Sequence, residues 1–180
     1  VPNRIAELFL EAGAPEGVLQ VIHGDKEMVD AILDHPGIAA VSFVGSSDIA
    51  HYVYSRGVAA GKRVQAMGGA KNHAIVMPDA DMDQAVNDIM GAAYGSAGER
   101  CMALPVAVPV GDETADILRE KLVAAIDKLK VGVSNDPEAQ YGPVVTAVHK
   151  QKIENWIQTG VDEGAELVVD GRGFSLQGYE

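Results

Sequence analysis

The sequence predicts an α/β protein in which helices connect parallel strands. Residues 38–44 are almost entirely apolar, which is typical of a strand covered on both faces. This run ends at Gly45-Ser46, and a helical pattern and a further strand over 64–67 follow directly. A strand, a tight turn, a helix and a second strand in this order indicate a β-α-β unit, and therefore a parallel sheet.

The segments before and after this unit continue the alternation. Upstream, the pattern predicts a helix over 4–13 that ends at glycine, a strand over 17–24 and a helix over 26–33. The helix inside the unit contains Ile49, Tyr52 and Val53. Each short apolar stretch lies between glycines or polar turns, as expected for alternating elements of one α/β domain.

From residue 71 onward the pattern changes to longer helices. Short strands are predicted over 74–77, 104–110 and 167–169, and helices over 82–95, 115–129 and 148–161. The best candidate for a domain boundary is the glycine pair Gly68-Gly69. We therefore predict that residues 1–70 and residues 71–180 belong to two different domains.

Composition excludes several classes of protein. The 180 residues are 47% hydrophobic, carry a net charge of −12 and contain one cysteine. The charge argues against binding to a phosphate backbone, and a single cysteine cannot form an internal disulfide. No apolar run is long enough to cross a bilayer. These features predict a globular protein of a reducing compartment, cytoplasmic or, in a eukaryote, of the mitochondrial matrix.

The two ends suggest an internal segment of a longer protein. The chain begins with Val1, opens directly into a helical pattern, and closes on a loop composition over 171–180. We expect both domains to be truncated, and the isolated chain to be inactive.

Gly45 and Ser46 form a candidate phosphate-binding turn. They lie where a strand gives way to a helix, so backbone N–H groups and the positive end of the helix face outward. The second and third glycines of the dinucleotide fingerprint are missing, since the segment continues as Ser47-Asp48. A serine cap on an ordinary helix explains the same pattern.

No metal site is predicted. Asp79, Asp81 and Asp83 have the spacing that opens a calcium loop, but Gln84 stands where that loop needs glycine and Met90 where it needs glutamate. These aspartates are better interpreted as helix-capping residues. The histidines show no pairing at ligand spacing.

Cys101 is the candidate nucleophile. It follows a glycine-bearing loop at a loop-to-strand junction and lies next to Arg100, whose positive charge favours the reactive thiolate. The alternative is that Cys101 is a small buried hydrophobic residue, which is the commoner role of a lone cysteine.

Three motifs in order, supported by a fourth, resemble the aldehyde dehydrogenase superfamily. Residues 43–46 read FVGS, 67–73 read MGGAKNH and 98–104 read GERCMAL, and 141–145 read YGPVV. The second and third motifs are most similar to the subfamily that oxidises methylmalonate and malonate semialdehyde. The resemblance covers essentially the whole chain. It implies the last part of a Rossmann-type NAD-binding domain over 1–70, followed by the first part of an α/β catalytic domain over 71–180.

The resemblance also implies roles for individual residues. The Cys101 thiolate would attack the aldehyde and its backbone N–H would supply half of the oxyanion hole, the other donor being an asparagine upstream of this chain. Gly45 and Ser46 would face the NAD pyrophosphate, and Gly68 would bring backbone close to the nicotinamide. Arg100 would bind the substrate carboxylate, unless it is a structural ion-pair partner of Glu99 or of a segment that lies outside this chain.

Met67 is an informative departure from most of the superfamily. The resemblance implies a glutamate in this stretch that activates water to hydrolyse the thioester, but Ala66 and Met67 have no carboxylate. A thiol needs less activation than water, so this difference favours transfer of the acyl group to coenzyme A. The implied products are propionyl-CoA or acetyl-CoA, formed with loss of carbon dioxide.

Two other functions remain open at this point. One is a hydrolytic, NAD(P)-dependent aldehyde dehydrogenase that uses a different base and releases a free acid. The other is a non-catalytic nucleotide-binding or assembly fragment. The resemblance further implies a homodimer or homotetramer for the full-length protein. Lys71, Asn72 and His73 are interpreted as a structural turn between the two domains.

Overall fold

A computed structural model describes residues 1–178 as a mixed α/β chain. The closing loop predicted over 171–180 therefore has its last two residues outside the described part. The chain divides into two compact units, Val1–Gly69 and a second that begins at Ala70. The predicted boundary, after residue 70, is one residue away. Each unit contains one two-stranded parallel sheet.

The first unit is built around a β-α-β motif. Strand β1, Ala40–Val44, pairs in parallel with β2, Arg63–Met67, and helix α3, Ser47–Ala59, connects them. Helices α1, Pro2–Glu11, and α2, Lys26–Asp34, precede the motif. The parallel arrangement predicted from the apolar run is therefore confirmed.

The core of the first unit lies between helices α2 and α3. Leu33 on α2 and Val53 on α3 are each 1% exposed, and Ala50 on α3 is also buried. Gly57 belongs to the same region, because an added Cβ would lie 3.5 Å from Cδ2 of Leu33 and only 2.7 Å from a methyl carbon of Val64 on β2. A glycine in the middle of a helix costs some stability, but here it allows the close approach of helix and strand.

A buried lysine binds backbone carbonyls at the carboxyl end of helix α2. Lys62 is 8% exposed, and its Nζ donates hydrogen bonds to the carbonyl oxygens of His35, at 2.6 Å, and Ile38, at 2.7 Å. The last carbonyls of a helix have no partner within the helix, and a cation is the favoured group there. Lys62 is therefore a structural residue.

A polar cluster on the surface links α2 to α3. Asp30 accepts hydrogen bonds from Lys26 Nζ, at 2.6 Å, and from the Tyr52 hydroxyl, at 2.5 Å. Arg56 donates to the same hydroxyl and, at 2.6 Å, to Asp34. The hydrogen bond from Lys26, followed in size of effect by that from Tyr52, lowers the pKa of Asp30 to about 2.

The cluster predicts a loss of stability in acid. Because the pKa of Asp30 is lower in the folded chain than its ordinary value of 3.8, its stabilising effect is complete above about pH 4 and is lost as pH falls towards 2. Asp30→Asn should therefore reduce the dependence of the unfolding free energy on pH in this window, measured by urea denaturation. Glu16→Gln, a charge loss outside the cluster, should leave the dependence unchanged. An equal change in both variants would contradict the prediction.

The second unit repeats the β-α-β arrangement with longer helices. Strand β3, His73–Val76, pairs in parallel with β4, Val106–Pro109, and helix α4, Met82–Tyr94, connects them. Helices α5, Asp112–Ile126, and α6, Ala147–Asp162, follow. The core contains buried residues from three of these elements, namely Val76, Val86, Ile89 and Leu118.

Side-chain caps define where several helices begin. The carboxylates of Asp25 and Asp81 accept backbone N–H bonds at the starts of α2 and α4, and the Thr146 hydroxyl does so at α6. The predicted capping role is thus confirmed for Asp81. Among residues 1–178, no helix combines the length and apolar character that crossing a membrane requires.

Two predicted strands are wrong. Residues 17–24 and 167–169 form turns and irregular backbone. Their apolar side chains fit a strand, but a strand also needs a neighbouring backbone to pair with, and neither segment has one within residues 1–178. Val18 and Ile22 are each 66% exposed as a result.

Candidate active site

Cys101 lies on an exposed loop of the second unit. The loop connects α4 to β4, and the Cys101 side chain is exposed. The alternative of a buried hydrophobic cysteine is therefore wrong for this chain. The thiol is thus accessible to a substrate, as a nucleophilic cysteine must be.

The backbone before Cys101 has an unusual conformation. Ser96, Ala97 and Gly98 all have positive φ, at 55°, 50° and 72°. Left-handed backbone costs a residue with a Cβ roughly 1–2 kcal/mol, so consecutive non-glycine residues of this kind need support from their surroundings. This part of the loop is therefore strained.

Asn72 provides part of that support from a distant position in the chain. Its Nδ2 donates hydrogen bonds to the carbonyl oxygens of Cys101, at 2.9 Å, and Ala103, at 2.8 Å. Asn72 immediately precedes β3, and the loop runs into β4, so the parallel pairing of these strands brings them together. The sequence pattern predicts a structural turn at Asn72 but does not connect it to Cys101, which lies 29 positions further along the chain.

Arg100 lies on the same loop with its guanidinium against Gly95. An added Cβ at Gly95 would lie 2.9 Å from Nη1 of Arg100, so the glycine leaves room for the guanidinium. Arg100 lines an open groove of about 1110 Å³ in the second unit, together with Tyr94 and Met102. Within residues 1–178, no carboxylate forms an ion pair with Arg100.

Glu99 does not pair with Arg100. Its Oε1 lies 3.8 Å from Nε2 of His149, near the start of α6. The interpretation of Arg100 as a partner of Glu99 is therefore wrong, whereas a partner in a segment outside this chain stays an alternative to a role in binding.

Gly45 and Ser46 lie at the carboxyl edge of the sheet in the first unit. Gly45 directly follows β1, and its N–H donates to the carbonyl oxygen of Met67, at 3.1 Å. Ser46 is the residue before the first turn of α3, but its side chain makes no capping hydrogen bond. The first N–H groups of α3 are thus not covered by that side chain. Ligands of open parallel sheets bind at this kind of edge.

Gly68 lies at the same edge, one residue beyond β2. An added Cβ would be 2.9 Å from Oγ of Ser47 and 3.1 Å from its Cα, so only glycine fits this close approach. Oγ of Ser47 also accepts the N–H of Gly69, at 3.1 Å. The first unit thus brings Gly45, Ser46 and Gly68 together, and adds Ser47, which sequence analysis did not identify.

Met67 ends β2 with its side chain 49% exposed, and its neighbour Ala66 is partly buried. No carboxylate therefore occupies the end of this strand. Among the residues that the structure describes, no group of three or more His, Cys, Asp or Glu side chains is arranged to hold a metal ion.

Comparison with known proteins agrees with these features. The model of the aldehyde dehydrogenase family matches residues 1–179. The malonate-semialdehyde dehydrogenases of Pseudomonas aeruginosa and Halalkalibacterium halodurans are 59% and 56% identical, over 98% of this chain in each case. The chain spans 35% and 37% of the length of these relatives.

Solved structures give the same family. A putative methylmalonate-semialdehyde dehydrogenase from Sinorhizobium meliloti, complexed with NAD, is 60% identical with a TM-score of 0.96, and the match covers all of this chain and 37% of that one. A succinate-semialdehyde dehydrogenase from Burkholderia pseudomallei is 29% identical with a TM-score of 0.88, over 95% and 36% of the two chains. The chain therefore belongs to the aldehyde dehydrogenase family.

Proposed function

We propose that the protein containing this chain is an NAD-dependent, coenzyme A-acylating semialdehyde dehydrogenase. It oxidises methylmalonate or malonate semialdehyde through a thioester on Cys101 and transfers the acyl group to coenzyme A. The observation that carries the proposal is the exposed Cys101 on a tethered loop, in a chain 59% identical to a malonate-semialdehyde dehydrogenase. As in the relatives, the full-length protein would contain the remaining parts of both domains.

Cys101 begins the reaction as a thiolate that attacks the aldehyde carbon. The bond between sulfur and carbon forms as the carbonyl π-bond becomes an oxyanion. The N–H of Cys101 has no hydrogen-bond partner within residues 1–178, so it is free to donate to this oxyanion. After oxidation, the acyl group remains on Cys101 as a thioester.

Residues at the sheet edge of the first unit would hold NAD, which supplies the hydride acceptor when bound. The uncovered N–H groups at the start of α3 suit the pyrophosphate, and Gly45 and Ser46 lie beside them. The close approach of Gly68 to Ser47 leaves bare backbone at this edge, where the nicotinamide would approach. Asp48, in the first turn of α3, opposes an anion, so backbone rather than side-chain charge would bind the phosphates.

Arg100 would select substrates that carry a carboxylate. A guanidinium can form two parallel hydrogen bonds to a carboxylate, and Arg100 has no internal ion pair within the described residues. The chain has a net charge of −12, which repels an acidic substrate, so a local cation is needed to bind one.

The end of β2 supports transfer to coenzyme A rather than hydrolysis. Met67 and Ala66 offer no base to activate water, whereas a thiol is a good nucleophile near neutral pH. With malonate semialdehyde, one NAD⁺ and one coenzyme A thiol are consumed, and acetyl-CoA, carbon dioxide and NADH are formed. The methyl-substituted substrate would give propionyl-CoA. As a homodimer or homotetramer, the enzyme would act in the cytoplasm or a comparable reducing compartment.

A product assay on the full-length protein tests this function. Malonate semialdehyde, NAD and coenzyme A should give acetyl-CoA and NADH in equal amounts, measured by chromatography and absorbance. Omission of coenzyme A should stop turnover after about one NADH per active site. Continued turnover that releases malonate, with or without coenzyme A, would instead identify a hydrolytic enzyme. No NADH at all would favour the non-catalytic alternative.

A further inference from the structure

We propose that Asn72 is a positioning residue for Cys101, acting through the backbone of the loop that carries the thiol. The proposal rests on the proposed role of Cys101 as the nucleophile. Asn72 itself touches neither substrate nor cofactor in this proposal. Its side chain holds the main chain of Cys101, which carries both the thiol and the N–H that would bind the oxyanion.

The hydrogen bonds of Asn72 are specific to an amide. Its Nδ2 carries two hydrogens, and each is directed to a different carbonyl oxygen, those of Cys101 and Ala103. Aspartate has the same shape but no donor when ionised, and it would place negative oxygen against both carbonyls. The side chain of Asn72 is partly buried, which strengthens hydrogen bonds and makes their loss more costly.

The two ends of the loop differ in how they are held. Upstream, the left-handed residues Ser96 and Ala97 store strain and would relax if the loop were free. Downstream, Ala103 is buried, with 6% exposure, and its N–H donates to the carbonyl oxygen of Arg100, at 3.0 Å. Asn72 is the side chain that links the Cys101 carbonyl to the downstream end of the loop. This link opposes relaxation of the strained turn.

The hydrogen bond from Asn72 fixes the backbone carbonyl of Cys101 and leaves its backbone N–H available. Its carbonyl accepts from Asn72, which fixes the peptide plane after Cys101, whereas its N–H has no partner among residues 1–178. Fixing that plane limits rotation about the Cα–C bond of Cys101, and therefore the direction of both the thiol and the N–H. Reacting groups displaced by about 1 Å can lose about 100-fold in rate.

The test uses the full-length protein and the variants Asn72→Asp and Asn72→Ala. We expect the rate of the first NADH burst, at saturating substrate, to fall about 10- to 100-fold in both, with the larger fall for Asp. The KM for aldehyde and the Kd for NAD should stay within about threefold. Asn155→Asp makes the same change at an exposed position on α6 and should keep the wild-type burst.

A second control separates positioning from stability. Leu122→Ala removes a side chain that packs on the core of the second unit. If it lowers the burst as much as Asn72→Ala at an equal loss in Tm, Asn72 is merely structural. Alkylation of Cys101 by iodoacetamide, followed by peptide mass spectrometry, needs no turnover and should also slow in the Asn72 variants alone. If neither variant folds, Asn72→Ser, which keeps one donor, should give an intermediate burst rate, and a wild-type rate would overturn the proposal.

The outcomes also separate this proposal from the proposed function. Activity retained in Cys101→Ala would reject the nucleophile whatever Asn72 does. Loss of activity in Cys101→Ala, together with wild-type burst and alkylation rates in folded Asn72 variants, would reject only the positioning role.

Discussion

Cys101→Ala in the full-length protein is expected to lower the rate of NADH formation by about 10⁴-fold or more. Removal of a nucleophile eliminates the covalent path, and what remains comes from binding and oxyanion stabilisation alone. Because Cys101 is exposed, its loss leaves no cavity, so Tm should change little. Steady-state assays and thermal unfolding measure the two effects.

Two further variants, Cys101→Ser and Met102→Ala, test whether the loss of activity is due to the thiol itself. Serine keeps the shape but is a far weaker nucleophile at neutral pH, and should be about as inactive as alanine. Met102 is 80% exposed on the same loop and lines the groove beside Arg100, but it carries no reacting group, so Met102→Ala should keep turnover even where it changes the KM for aldehyde. Turnover in Cys101→Ala within about tenfold of wild type would remove Cys101 from the mechanism.

Arg100→Leu is expected to raise the KM for malonate semialdehyde about 10- to 100-fold. The loss corresponds to a charge-assisted pair of hydrogen bonds to the substrate carboxylate, roughly 1.5–3 kcal/mol. Propanal has no carboxylate, so its KM should change less than about threefold. Arg100→Lys keeps the charge but loses the planar fork, and should have an intermediate effect.

Arg119→Leu is the matched control for charge. Arg119 lies on α5, where its guanidinium pairs with Asp116 at 3.0 Å on the surface. Its replacement removes the same charge from the same unit and should leave both KM values unchanged. Equal increases for semialdehyde and propanal in Arg100→Leu would show that Arg100 does not bind the carboxylate.

Most of the elements were predictable because their signals are local. The apolar run over 38–44 and the aspartate before α4 predict a strand and a helix start whatever the rest of the chain does. The strands predicted over 17–24 and 167–169 were wrong for the opposite reason. Their apolar character is local, but pairing depends on another segment, and no segment of residues 1–178 supplies it.

The residues of the candidate site also fall into two groups, those that the local sequence indicates and those that only the structure identifies. Cys101 and Arg100 stand out because they are neighbours within one motif, and Gly45 because it ends a strand. The close approach at Gly68 required the structure, since the side chain that excludes a Cβ there belongs to Ser47, 21 residues earlier. The surroundings of Glu99 were equally undecidable, because the group that faces it, Nε2 of His149 at 3.8 Å, lies on a helix distant in sequence.

The amino-acid sequence by itself determined the α/β class and the choice of Cys101 as candidate nucleophile, since the patterns that indicate them involve residues close together in the chain. Only the tertiary structure decided that Cys101 is exposed and that Asn72 holds its loop. The physical reason is that the parallel pairing of β3 with β4 brings Asn72 to the loop. Contacts across that distance depend on the register of two strands, which local patterns do not specify.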